Sequence, residues 1–154
     1  MGGYKIMTSV NPTKSYETVF VFNIGTEIEN RIAECNGDRE KGVYETTRKY
    51  WAKVNQWQKS SDMYGVGLIN GMSQGVFKIS RWYETNNPYY PSRYEFDGIE
   101  QKDDDLFGKD WSKIIEPAKG FWQHGNWIVA SFDGNGHFKI LRGGGKNNKK
   151  WFSC

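Results

Sequence analysis

A small α+β fold is what the sequence predicts: a curled sheet or barrel of about five or six short, mostly antiparallel strands with one main helix packed against it. Three observations predict it. Eighteen glycines against four prolines point to many turns. An aromatic share of 16%, with seven Trp, nine Tyr and nine Phe, excludes wholesale disorder, because disordered chains are poor in rings. Finally, only one long segment carries clean helical spacing, whereas several short ones alternate. The 154 residues suit a single domain spanning 1–154.

Residues 1–15 read as a loose lead-in. In Thr18–Gly25, TVFVFNIG, Val19, Val21 and Asn23 lie on one face of a strand and Phe20, Phe22 and Ile24 on the other. A polar stretch from Asn30 to Gly42 follows, broken at Asn36-Gly37-Asp38. Residues 43–57 form the main helix: Val43, Thr47, Tyr50, Trp51, Val54 and Trp57 share a face, and Glu45 and Lys49 make a favourable (i, i+4) pair. Residues 63–70 and 73–84 form a hairpin around Asn70-Gly71, a pair suited to positive φ. In its second strand Val76, Lys78, Ser80 and Trp82 fall on one face, with Phe77, Ile79, Arg81 and Tyr83 opposite. Arg93–Ile99 is a further strand, Asp103–Asp105 a solvated acidic turn, and residues 110–116 suit a short helix. A last hairpin pairs 126–133 with 137–143, and 143–154 is a flexible, basic, Gly-rich C-terminal tail.

The formal charge of +3 hides an asymmetry. No acid follows Asp133, and Lys139, Arg142, Lys146, Lys149 and Lys150 give that end five positive charges on a body that is slightly acidic. No stretch reaches the roughly 18–20 apolar residues of a membrane span, and Met1–Ser15 lacks the apolar region of a secretory signal. Cys35 and Cys154 are too few for a disulfide framework. A cytoplasmic protein with free thiols is expected. His124 and His137 have no Cys or carboxylate at ligand spacing, so neither a metal nor another cofactor is expected. No P-loop, GxSxG or GxGxxG pattern is present.

Several segments, in order, resemble the PUA-like superfamily that includes EVE, ASCH and YTH modules. They are Tyr44-Glu45-Thr46-Thr47-Arg48-Lys49-Tyr50-Trp51, Tyr64-Gly65-Val66-Gly67-Leu68-Ile69-Asn70-Gly71, Gly75-Val76-Phe77, Trp82-Tyr83, Arg93-Tyr94-Glu95-Phe96-Asp97-Gly98 and Leu106-Phe107-Gly108-Lys109. Together they cover about residues 43–110. The resemblance implies a pseudo-barrel that binds nucleic acid or a modified base without catalysis. An aromatic cage would hold a base swung out of its strand, since ring faces restore roughly 1–3 kcal/mol of lost stacking. Trp51 and Trp82 are the cage candidates, with Tyr44 beside them, and Arg48 and Arg93 the contacts to phosphate or a base edge. Each Trp can equally be core, and Arg48 can equally hold a surface ion pair. In the basic end, Lys146, Lys149 and Lys150 beside Trp151 mix charge with a stacking ring, a combination suited to single strands.

Two alternatives stand beside this reading. One is an interaction or inhibitor protein of phage or mobile-element type, acting on a host protein partner, with the acidic stretch Glu95–Asp105 as a nucleic-acid mimic. The other is an ASCH-like amidohydrolase acting on modified nucleosides, for which Lys41, Glu45 and Thr46 or Thr47 would serve. The ASCH signature G-x-K-x-x-E-x-R is not reproduced, because in Lys41-Gly-Val-Tyr-Glu45-Thr-Thr-Arg48 the spacing is off by one on both sides of Glu45.

Overall fold

The computed structural model describes residues 8–54, 57 and 61–154. Residues 1–7 of the expected lead-in, and 55–56 and 58–60 around the end of the expected helix, lie outside the described residues. One mixed sheet of eight strands organises the rest: β1 (Tyr16–Asn23), β2 (Trp51–Ala52), β3 (Met63–Ile69), β4 (Met72–Glu84), β5 (Arg93–Glu100), β6 (Ile128–Phe132), β7 (His137–Arg142) and β8 (Trp151–Ser153). Their order is β2-β5-β4-β3-β1-β6-β7-β8. Helices α1 (Ile28–Glu34), α2 (Arg39–Arg48), α3 (Ser112–Ile115) and α4 (Lys119–Gln123) complete the α+β fold.

The expected five or six strands are therefore eight, and the sheet has two free ends instead of closing. It is nevertheless curled. The Trp127 indole, just before β6, donates to Ala52 O in β2 at 2.9 Å, which carries one edge of the sheet over the start of β6. Within the sheet β1 and β3 pair in parallel and the other named neighbours are antiparallel.

Both faces of the central strands are covered, which is why β1 has no polar stripe. Val19 and Val21 join Val66, Leu68, Val76, Ile128, Ala130, Phe138 and Ile140 on one face, under Trp111 and Ile114 at α3. Phe20, Phe22 and Ile24 join Phe77, Ile79, Trp82, Phe96 and Trp127 on the other, under α1 and α2. A cross-strand pair, Gly67 opposite Gly75, makes the slot for α2. A Cβ at Gly67 would overlap the Thr47 hydroxyl, and one at Gly75 would lie 2.7 Å from Val43 Cγ1. The Asn70-Gly71 turn has the expected positive φ values, 51° and 78°.

The helix expected over 43–57 runs instead from Arg39 to Arg48 and then gives way to β2. Asp38 caps its start, accepting from Lys41 N at 3.1 Å. Its last turn carries two β-branched residues whose hydroxyls bond back to Gly42 O and Val43 O at 2.7 Å. Trp51 then turns its ring onto Phe22, centroids 4.3 Å apart, and donates its indole N–H to Thr47 O. The apolar residues beyond Arg48 thus mimic helical spacing while serving a sheet edge. Helix α1 fell in the polar stretch because only Ile28 and Ile32 of its seven residues are large and apolar.

The segments 8–15 and 143–154 are tied down more than expected. Val10 is buried and its N–H donates to Asp110 O at 3.0 Å. Asp105 accepts from Thr13 N and Oγ1, and Asp104 accepts from the Tyr16 hydroxyl at 2.6 Å. The turn at Asp103–Asp105 therefore clamps the N-terminal segment and is not merely solvated. Residues 143–154, expected as a flexible tail, hold a 3-10 turn (Gly145–Asn147) and then β8, whose Phe152 stacks on Phe138 with centroids 5.5 Å apart. Among the described residues no helix is long and apolar enough to cross a membrane.

Candidate functional site

Trp51 and Trp82, the expected cage pair, do not line a common cavity, although Arg48 lies over the Tyr44 ring at 5.4 Å. Trp82 lies in the core, 8% exposed, with its ring edge-on to Phe20 and Phe96. A bulge explains the change of place. Pairing runs from Ile79–Gly98 to Arg81–Asp97, so Ser80 is an extra residue and Trp82 crosses from the Val76 face to the Phe77 face. Strict alternation cannot anticipate that crossing.

Arg48 is buried and engaged within the fold. Its Nε donates to Phe96 O at 2.9 Å, and its outer nitrogens meet Glu45 at 3.2 Å, Asp97 at 3.2 Å, Glu95 at 3.6 Å and the Tyr83 hydroxyl. Burial alone would lower its pKa, but the charge of Glu45, then Tyr83, Tyr44 and Glu95, raises it above the ordinary value. Glu95 and Asp97 are accordingly engaged here and, for Asp97, with Arg81 at 2.9 Å, so this part of the acidic stretch does not present free carboxylates.

The three residues considered for catalysis lie apart in role. Lys41 is exposed, beside a cavity of about 350 Å³ lined by Asp38, Glu40, Tyr44, Phe77, Gly98 and Glu100. Glu45 is held by Lys49 at 2.9 Å and by Arg48. Burial would raise its pKa, but those two cations hold it below the ordinary range. Thr47 is fully buried with its hydroxyl donated to Val43 O, and Thr46 is buried in the same way. Tyr44 accepts from Gly98 N at 3.1 Å. Arg93 is exposed at the start of β5.

Trp51 is half-buried and does line a cavity, of about 140 Å³, with Arg31, Tyr50 and Tyr90. Tyr50 and Tyr90 stack on each other there, centroids 4.1 Å apart. That volume falls below the roughly 300–1,000 Å³ of ordinary small-molecule sites. A groove of about 590 Å³ at the ends of β1 and β3 is large enough, but its polar side chains, Thr26, Asn70, Glu116, Lys119 and Gln123, are exposed and hold no desolvated charge.

The strongest site lies at the end of β7. A cavity of about 790 Å³ is lined by Trp57, Phe121, His124, Asn126, Arg142 and Asn148, among others. The Arg142 guanidinium stacks over the Trp127 ring, 3.5 Å to its centroid, and over the Phe121 ring at 4.7 Å. One of its outer nitrogens donates to Trp127 O. Gly143 lets Phe121 come this close: at φ +105° it has no side chain, and a Cβ there would lie 2.8 Å from Phe121 Cδ1 and Ile128 Cγ2.

Among the described residues no carboxylate lies within ion-pairing distance of Arg142. Burial, with nothing to offset it, lowers its pKa to about 10. It remains charged at neutral pH, and among the described residues its one hydrogen bond is to Trp127 O. Chemically this arrangement receives an anion attached to a flat apolar group. Lys146, Lys149 and Lys150 are exposed on the connector that leads from it to β8, and Trp151 is 51% exposed on β8 itself.

In the sequence Arg142 stands out only as part of the basic end, and Phe121 and Trp127 carry no pattern that marks them. The available signal was an arginine closing an alternating strand directly before Gly143-Gly144-Gly145. No family model, curated protein or solved structure matches the chain.

Proposed function

We propose that the chain is a PUA-like, non-enzymatic module that binds nucleic acid or a modified nucleotide, with the Arg142 cavity as its anchor. One observation carries the reading: a half-buried guanidinium against two rings with no carboxylate partner among the described residues. Removing a cation from water costs several kcal/mol unless an opposite charge completes it, and a bound phosphate does so. Phosphate binds along the free edge of the guanidinium, and a base stacks on the exposed aromatic wall of the cavity. The cavity volume lies within the range of small-ligand sites. The motif order over residues 43–110 supports the family reading. Structural partners held by Glu45 and Thr47 favour binding over hydrolysis.

Calorimetric titration with nucleoside monophosphates and with modified and unmodified oligonucleotides tests the reading. Binding is expected at low salt and falls as salt rises, because phosphate contacts release counterions. Absence of binding at low salt by every one of these ligands sinks it.

A further inference from the structure

The ligand of the Arg142 site, we infer, is a single-stranded polynucleotide that continues from the cavity across β7 onto Trp151, not a free mononucleotide. This rests on the reading of Arg142 as a phosphate anchor and extends it along the sheet. The register carries it. In the β6–β7 pair Val129 faces Arg142 and Ser131 faces Lys139, with the pairing shifted between Val129 and Ala130. Val129 and Ser131 are two residues apart and share a face. Their partners, Arg142 and Lys139, therefore share that face too, although three residues apart in sequence. Without the bulge they would point to opposite sides.

The next pair along the sheet, Lys139 opposite Trp151, adds a ring on this same face. Lys139 Nζ stands 4.7 Å from the centroid of the Trp151 ring. Phe138 and Phe152 take the other face, inside the core. The sheet thus presents two cation-and-ring units: Arg142 against the buried Trp127 ring with half-buried Phe121 beside it, and Lys139 with the exposed Trp151. Two residues of strand separate them, about 7 Å. That is about double the roughly 3.4 Å step of stacked DNA, so a stretched single strand brings successive nucleotides to the two units.

The intervening connector adds charge without opposing acid. Lys146, Lys149 and Lys150 are exposed along it, and no Asp or Glu follows Asp133. It is held in place by Lys149 N–H to Ile140 O at 2.9 Å and Gly144 N–H to Asn148 Oδ1 at 2.9 Å. Rings that accept any base face, interleaved with cations that follow a backbone, are the physical requirements of sequence-tolerant single-strand binding.

The test compares uridine 5′-monophosphate with single strands of RNA and of DNA about 12 nucleotides long, the scale of single-strand sites, using the intact chain. Oligonucleotides are expected to bind at least tenfold tighter than the monophosphate, and the RNA and DNA arms decide which polymer is preferred. Trp151→Ala and Lys139→Gln should each weaken the oligonucleotides roughly tenfold while leaving the monophosphate unchanged. Arg142→Gln should weaken both ligands. Trp151 is half-exposed, so its variant tests binding, and an unchanged circular dichroism spectrum verifies the fold. Equal affinity for monophosphate and oligonucleotide, or no response to Trp151→Ala and Lys139→Gln, overturns the strip but leaves Arg142 as an anchor. Indifference of both ligands to Arg142→Gln overturns the anchor as well.

Discussion

Arg48 is buried and Arg142 half-buried, and their surroundings are opposite. Arg48 sits beneath three carboxylates, a tyrosine hydroxyl and a backbone carbonyl, and its charge is answered within the fold. Arg142 sits between two rings with one carbonyl as partner, and its charge is answered by nothing else described. The neighbours move the two groups in opposite directions: carboxylates raise Arg48 and burial lowers Arg142. The lesson is that a buried arginine in a promising motif signals function only when its counter-charge is missing.

The contrast is broken most severely at Arg48. Arg48→Met should destabilise the fold by about 3 kcal/mol, because Glu95 loses its counter-charge and Glu45 keeps only Lys49 while both are partly desolvated. The estimate is at the low end since the Asp97 carboxylate is 42% exposed. Urea unfolding should show it, and the thermal midpoint should fall by about 10 °C. Lysine should rescue little, as it cannot reproduce the fork that reaches Phe96 O and two carboxylates together. At Arg142 the expectation inverts. Arg142→Gln should lower ligand affinity at least tenfold, about 1.4 kcal/mol, while unfolding shifts by less than about 1 kcal/mol. A large stability loss there would make Arg142 a second Arg48.

Acid sharpens the comparison further. The cations around Glu45 and Asp97 hold both carboxyls below their ordinary values, for Asp97 chiefly through the hydrogen bond from Arg81. A depressed carboxyl contributes stability that is complete above its unfolded pKa, about 4, and is lost as pH falls through the lower folded value. Stability measured from pH 6 downward should therefore hold until about pH 4 and then decline, and Arg48→Met should flatten the decline. A wild-type slope unchanged in the variant would remove Arg48 as a contributor beside Lys49 and Arg81. The smallest effect belongs to Arg93. It is exposed, so Arg93→Ala should move stability by less than about 0.5 kcal/mol and leave the affinity of the monophosphate unaltered. A tenfold affinity loss would return the site to the α2 side of the sheet.

Much of the framework was legible. The Asn70-Gly71 hairpin, the two faces of β1, the strand from Arg93 and the 126–143 hairpin all follow from alternation and turn chemistry. What escaped has a common cause in the two bulges. At Ser80 an extra residue sends Trp82 into the core, and the irregularity opposite Val129 brings Arg142 to the face of Lys139. Periodicity assumes that every residue advances the strand by one step, so it misplaces each side chain beyond a bulge. The end of α2 was hidden differently: Tyr50 and Trp51 keep helical spacing, but stacking on Phe22 and Tyr90 needs an extended backbone. Strand β8 is three residues long beside a Gly-rich run, too short for any pattern. The candidate site was thus legible only as charge at one end of the chain, because its cavity joins residues from α4, β7 and Trp57.

The place of β1 in the sheet also has a kinetic consequence. It is among the first strands in the chain, yet one of its two neighbours is β6, with Tyr16 paired to Phe132. During synthesis from the N-terminus, β1 leaves the ribosome with apolar side chains on both faces and one long edge unmatched until more than a hundred further residues have followed. Its other neighbour, β3, pairs in parallel and is reached only after the crossover through α1, α2 and β2. Such distant pairings slow folding and leave an apolar edge open to other chains. A nascent chain stalled before Ile128 would therefore expose Phe20 and Phe22 beside an open edge, making the early strand the natural target of a chaperone and the late hairpin, which carries Arg142, the step that ends that exposure.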